Sequence, residues 1–164
     1  MTHSAWILNA SPLILLAKIG QAELLLTLPS STHVPRSVAQ EILLGPSDDP
    51  ARLLIEQERF PIVDDPPFPP EVLAWDLGMG ETAVISYALK HPGSVAILDD
   101  MAARKCARSF GIPVKGTLGI IVLAKRKGLI LSAATLFHDL LSAGARLDEA
   151  LARRVLHEIG EEWP

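Results

Sequence analysis

Two neighbouring carboxylates, Asp99 and Asp100, close the run Ser94-Val95-Ala96-Ile97-Leu98, which follows the turn signal Pro92-Gly93. A short apolar run between a turn and a helical pattern reads as a buried strand of an α/β sheet. Ligands of open α/β sheets bind beyond the carboxyl ends of the strands, so acids placed there are candidates for a metal or phosphate site. Neighbours in a strand point to opposite sides. If the strand persists through Asp99, that side chain faces the crevice and Asp100 is left to cap the helix that starts at Met101.

Two more acids stand at positions that helical spacing assigns to apolar faces. Glu41 lies in register with Val38 and Ile42, and Glu81 with Val84, Ile85 and Ala88. An ionised carboxylate without a partner is expensive to bury, so each calls for a cation, a proton or a metal ion. Plainer readings stand beside these: Glu81 as a favourable charge in the first turn of its helix, and Glu41 as a rim residue with its head in water. Oxygen donors gathered without Cys or His suit Mg²⁺ or Mn²⁺ rather than zinc. The five histidines are scattered and form no His-Glu-x-x-His arrangement.

Charge is distributed unevenly. The chain carries a formal net charge of −4, which argues against a strongly cationic nucleic-acid binder. Yet no Asp or Glu occurs between Asp100 and Asp139, while Arg104, Lys105, Arg108, Lys115, Lys125, Arg126 and Lys127 all do. Such a cluster beside an acidic strand end is a candidate phosphate-binding surface, with Arg104, Arg108 and Lys115 nearest the acids in sequence. Lys125 to Lys127 also suit the end of a helix stopped by Gly128, and Arg104 is spaced to pair with Asp100.

The elements that must position these residues alternate along the chain. Trp6-Ile7-Leu8 reads as a first strand ending at Asn9, with Ser11 and Pro12 as cap and first residue of the helix that follows. Further strands are expected at Thr32-His33-Val34, Phe60 to Val63 and Ile112-Pro113-Val114. Helices are expected from Pro35 to about Leu44, Ala51 to Glu58, Glu81 to Lys90, Met101 to Phe110, Thr117 to Lys127, Ala133 to Ser142 and Asp148 to Ile159. Pro66-Pro67-Phe68-Pro69-Pro70 is a stiff surface connection. Repeated strand, helix, strand implies parallel pairing with helices on both faces, in one domain spanning residues 1–164.

The longest charge-free stretch near the N-terminus, Ala5 to Ala17, is too short to span a bilayer, and Met1-Thr2-His3-Ser4 lacks the basic start of a secretory leader. A single cysteine, Cys106, excludes an internal disulfide and suits a reducing cytoplasm. The absence of a Gly-x-Ser-x-Gly elbow excludes a serine hydrolase of that type. A phosphate-receiver domain is disfavoured because the Asp pair comes late and no phosphoacceptor strand precedes Lys115.

The chain resembles the PIN-domain nucleases, and among them the VapC-like toxins of toxin–antitoxin modules. The resemblance is carried by Trp6-Ile7-Leu8-Asn9-Ala10-Ser11-Pro12-Leu13-Ile14, Leu77-Gly78-Met79-Gly80-Glu81, Ile97-Leu98-Asp99-Asp100 and Lys115-Gly116-Thr117-Leu118-Gly119-Ile120, in that order. It implies a three-layer α/β/α fold with a central parallel sheet and an acidic pocket holding Mg²⁺ or Mn²⁺. It also implies RNA as substrate, a homodimer and an antitoxin partner. By position, Glu41, Glu81 and Asp99 become the second, third and fourth acids, with Asp100 beside the last. Asn9 stands where the family usually has its first Asp, and Ser11 and Thr117 stand where members often place hydroxyls. Asparagine offers a metal a carbonyl oxygen but no charge. A PIN-like module that binds RNA or an antitoxin without cutting is therefore the alternative reading.

Overall fold

The computed structural model describes residues 4–163, and the Met1–His3 segment read above lies outside the described residues. Five strands form one all-parallel sheet: β1 (Ala5–Leu8), β2 (Ser31–Pro35), β3 (Ile62–Val63), β4 (Val95–Ile97) and β5 (Val114–Lys115), in the order β3-β2-β1-β4-β5. The helices are α1 (Ala10–Lys18), α2 (Leu24–Thr27), α3 (Arg36–Leu43), α4 (Pro50–Glu56), α5 (Pro70–Leu73), α6 (Met79–Lys90), α7 (Met101–Ser109), α8 (Thr117–Arg126), α9 (Ala133–Ser142) and α10 (Glu149–Glu158). Helices flank the sheet, giving the three-layer α/β/α arrangement that the sequence predicts.

The middle of the sheet belongs to β1. Trp6, Ile7 and Leu8 pair with Val95, Ala96 and Ile97 on one side, and Ala5, Trp6 and Ile7 with Ser31, Thr32 and His33 on the other. Covering on both faces explains a continuous apolar run where a half-exposed strand would alternate. Ile7, Leu8, Ile97 and Leu98 are fully buried, and each contributes roughly 1.5–3 kcal/mol relative to an exposed position. The register aligns the ends of β1 and β4, so Asn9 and the Asp pair leave the sheet at the same edge. The Asn9 amide donates to the Ile97 carbonyl at 3.1 Å, which fixes that alignment.

Several boundaries depart from the sequence reading. β4 ends at Ile97 and does not persist through Asp99, although the Leu98 amide still donates to the Lys115 carbonyl at 3.0 Å. Asn9 occupies the cap position of α1, and Ser11, predicted to be the cap, lies inside the first turn. Helix α6 begins at Met79, two residues earlier than predicted, because the Gly78 carbonyl accepts from both the amide and the hydroxyl of Thr82, each at 2.9 Å. Leu136, Phe137 and Leu140 are buried within the chain's own core, and Cys106 is a small core residue.

Away from the strand ends, Glu161 fastens the chain after α10 to the start of α9. Its carboxylate accepts from the amides of Ala133 (2.9 Å) and Ala134 (3.0 Å) and the hydroxyl of Ser132 (2.8 Å), with Lys125 Nζ at 3.6 Å. Burial alone would raise its pKa, but these donors and the Lys125 charge outweigh that and hold it below the usual carboxylate range. A depressed carboxylate contributes stability above its unfolded pKa and loses it as pH falls through the folded one. Glu161→Gln is expected to cost about 1–3 kcal/mol at neutral pH and to make the acid limb of a thermal-melting profile shallower.

Candidate active site

The strand ends bring the predicted residues to one edge of the sheet. Gly80, in the first turn of α6, lies among them. A Cβ built there would sit 3.3 Å from Asn9 Oδ1, 3.3 Å from Val38 Cγ2 and 3.5 Å from Glu41 Oε1. The amide oxygen at the end of β1 and the carboxylate from α3 thus converge on one position, where a side chain larger than hydrogen would press on both. Asn9 is 7% exposed and its side chain makes no capping bond, which leaves the carbonyl oxygen free to face this cluster.

Glu81 lies half-buried one residue on, with Thr82, Val84, Ile85 and Ala88 packed in the core behind it. Burial raises its pKa first; the negative charges of Asp100 and Glu41 and a hydrogen bond with Asp100 raise it further. Glu41 on α3 and Asp100 at the β4–α7 junction are therefore each close enough to repel Glu81 on α6. Glu41 is a correction to the inward orientation that its spacing suggests: the residue is exposed. Val38 and Ile42 take the buried face of α3, and the glutamate reaches over its rim toward Gly80.

The adjacent aspartates differ in surroundings. Asp100 caps α7, its Oδ2 accepting from the Ala103 amide at 2.9 Å, and also touches Glu81. Asp99 Oδ1 accepts from the Thr117 amide at 2.8 Å, and its Oδ2 accepts from the Thr117 hydroxyl at 2.7 Å and the Ser11 hydroxyl at 3.3 Å. Ser11 and Thr117 accordingly meet on one carboxylate, and Ser11 does so in place of the capping role the sequence predicts.

Of the basic residues, Arg104 is half-buried and donates Nη1 to the Leu98 carbonyl at 3.0 Å. Burial and then Arg108 lower its pKa, with Asp99 working in the opposite sense. It forms no ion pair with Asp100, because its guanidinium turns back toward the strand end. Arg108 is exposed and Lys115 partly so, whereas Lys125 to Lys127 sit at the far end of α8. The cation cluster of the sequence is thus divided among α7, the start of α8 and its far end.

A Cβ on Gly116 would fall 2.6 Å from Arg104 Nη1 and 2.9 Å from Asp99 Oδ1. Gly116→Ala is expected to displace both groups, costing about 1–3 kcal/mol of stability and lowering Tm by several degrees in a thermal melt.

Among the described residues, no three His, Cys, Asp or Glu side chains close into a group that would hold an ion by themselves. The donor set nevertheless fits a hard divalent cation. It is all oxygen, carries excess negative charge around Glu81, and includes the Asn9 carbonyl oxygen converging on the Gly80 cradle. Mg²⁺ is commonly held by one or two carboxylates, keeps several waters and takes further oxygens from substrate phosphate, so a closed protein cage is not required. A cleft of about 430 Å³ near the C-terminus, lined by Arg153, Arg154, His157, Glu161, Glu162 and Trp163, shares none of these residues.

An α/β/α sandwich with acids collected at the carboxyl ends of parallel strands is the architecture of a nuclease-type fold. A family model described as a PIN domain matches residues 5–161, and the chain belongs to that family. PIN domains are generally nucleases, usually use divalent metals and commonly bind RNA. A comparison with curated proteins found no match. No helix among the described residues is long and apolar enough to cross a membrane.

Proposed function

We propose that this chain works as a single PIN domain and is a VapC-like endoribonuclease that hydrolyses RNA phosphodiester bonds with Mg²⁺ or Mn²⁺. The observation that carries the reading is the convergence of Asn9 and Glu41 on Gly80 at the end of a parallel sheet, with Glu81 next in the chain and under the negative charges of Glu41 and Asp100. Glu41, Glu81 and the Asp99–Asp100 pair are the catalytic acids of this proposal. Asn9, Glu41, Glu81 and that pair are the groups that would hold the metal. A bound divalent ion supplies a water of lowered pKa and positive charge for the phosphate oxygens.

The chain's own groups do the rest. The acids are carried on separate rigid elements that bring them to one edge of the sheet, which fixes where a scissile phosphate can sit. Arg108 and Lys115, with what Arg104 can spare from Leu98, grip the RNA backbone on either side. These contacts read phosphate and not base, so they give affinity without choosing a sequence. An antitoxin as partner, a homodimer as assembly and the cytoplasm as location complete the VapC-like reading.

Asn9 favours a second reading, in which the pocket is too weakly charged to cut and the domain binds RNA or an antitoxin. The test is incubation of the purified chain with a mixed RNA pool at low salt, with Mn²⁺ or Mg²⁺ against EDTA, beside Glu81→Gln. Metal-dependent cleavage lost in Glu81→Gln supports the nuclease. RNA retention without cleavage, by a protein that gains cleavage on Asn9→Asp, supports the binding module.

A further inference from the structure

We propose that the cleft beside α10 is a nucleotide-binding site, in which Arg153 and Arg154 hold the phosphate and the Trp163 indole stacks on the base. It shares no residue with the acidic edge of the sheet and needs no metal ion. It therefore stands independently of the catalytic reading above.

Three of the lining residues come from one stripe of α10. His157 follows Arg153 at i+4 and Arg154 at i+3, the spacings that bring side chains together on a helix. All three are exposed, because α10 meets the core through Ala152 and Leu156 instead. Among the described residues Arg154 makes no ion pair, and Arg153 has only Glu149, at 2.7 Å on the open surface. An exposed pair of that kind is worth little, so Arg153 is free to exchange it for a phosphate. Guanidinium groups present paired N–H donors that match phosphate oxygens, and two neighbours on one helix make a grip for an anion.

The rest of the lining comes from the segment after α10. Glu161 holds that segment in place, and its charge is met by the Ala133 and Ala134 amides, the Ser132 hydroxyl and Lys125. It therefore does not draw the arginines away from a ligand. Trp163 is partly buried, packing on the hydrophobic core while it also lines the cleft. An indole fixed on one side offers a base a stacking surface whose ordering is already complete.

Glu162 selects among anions. It makes no ion pair among the described residues, and its charge opposes a bare phosphate. A ligand that brings N–H or O–H donors along with its negative charge turns that carboxylate into an acceptor. Nucleotides do so through their ribose hydroxyls and base edges. The volume of about 430 Å³ falls within the range of small-ligand sites and suits a single nucleotide.

The experiment titrates adenosine monophosphate, inorganic phosphate and unphosphorylated pentaadenylate into the chain in EDTA, by calorimetry and by NMR of the tryptophan indole N–H signals. Adenosine monophosphate is expected to bind at least about tenfold more tightly than inorganic phosphate and to shift the Trp163 signal. Arg154→Gln should weaken it about tenfold at unchanged Tm, since that side chain is exposed and makes no ion pair. Trp163→Leu should do the same, and Trp163→Phe, which keeps a ring, should retain most of the affinity.

Equal affinity for inorganic phosphate overturns the proposal, as does binding that survives Arg153→Gln and Arg154→Gln together. A shift confined to Trp6 or Trp75, or no binding of any of the three probes, overturns it too. If Trp163→Leu fails to fold, Trp163→Phe and Arg154→Gln carry the test. Tighter binding of pentaadenylate than of the mononucleotide makes the occupant part of a strand, and the reverse makes it a free nucleotide; either upholds the site. With the metal removed by EDTA, none of these outcomes depends on cleavage.

Discussion

Glu81→Gln is expected to lower metal-dependent RNA cleavage at least about a hundredfold and, in EDTA near neutral pH, to raise the melting temperature. The first effect follows from removing the acid on which Glu41 and Asp100 converge, a larger change than loss of a residue that merely orients a ligand, for which 10–100-fold is usual. The second follows from the sign of its pKa shift. Burial, Asp100 and Glu41 raise the folded-state value above the unfolded one. The linked stability is present below the unfolded pKa and is lost as pH rises through the folded pKa. Without metal the natural chain therefore weakens on going from the ordinary carboxylate range toward neutrality, and glutamine removes that loss. Melting curves between about pH 4 and 8, with EDTA and with Mn²⁺, check this. Mn²⁺ should stabilise the natural chain and leave Glu81→Gln nearly unmoved. Cleavage by the natural chain should switch on at a higher pH than an ordinary glutamate would set.

Asn9→Asp is expected to act in the opposite direction, strengthening Mn²⁺ binding about tenfold to a hundredfold and raising cleavage with it. A unit charge about 4 Å from another is worth roughly 4 kcal/mol at the effective dielectric of a protein surface. Part of that is lost, because residue 9 is only 7% exposed and its Oδ1 faces the same cradle as Glu41 Oε1. The surplus left for a cation is about 1.4–2.8 kcal/mol, or one to two factors of ten. The same crowding makes Asn9→Asp less stable than the natural chain in EDTA, so Mn²⁺ should reverse the order of their melting temperatures. Titration calorimetry and melting with and without the ion separate these effects. An unchanged Mn²⁺ affinity would mean that position 9 does not face the ion.

The sequence was most legible where one period or one punctuation mark dominated. The buried strands β1 and β4, the helix from Ala133 to Ser142, and Asp100 as a cap all follow from local rules, because apolar runs and capping preferences act over a few residues. Glu81 on the core-facing side of its helix was legible for the same reason. The orientation of Glu41 was not. Helical spacing fixes which residues share a side, but how far that side turns under depends on the packing of α3 against α6. The partners of Asp99 were equally hidden, since Ser11 and Thr117 lie 88 and 18 residues away and meet only through strand pairing. Nor could spacing tell that Arg104 bends back to Leu98, a choice made by the tight approach at Gly116.

The placement of β1 between β2 and β4 also governs when the cluster at the strand ends can form during synthesis. Its second neighbour, and the Asp99 carboxylate that receives Ser11, emerge from the ribosome about a hundred residues after β1 does. At roughly 5–20 residues per second, that is an interval on the order of 5–20 s. Through that time the first strand can pair only with β2, and the acids of α3 and α6 have no third wall against which to be arranged. The cluster at the strand ends is thus incomplete until Thr117 is delivered to Asp99.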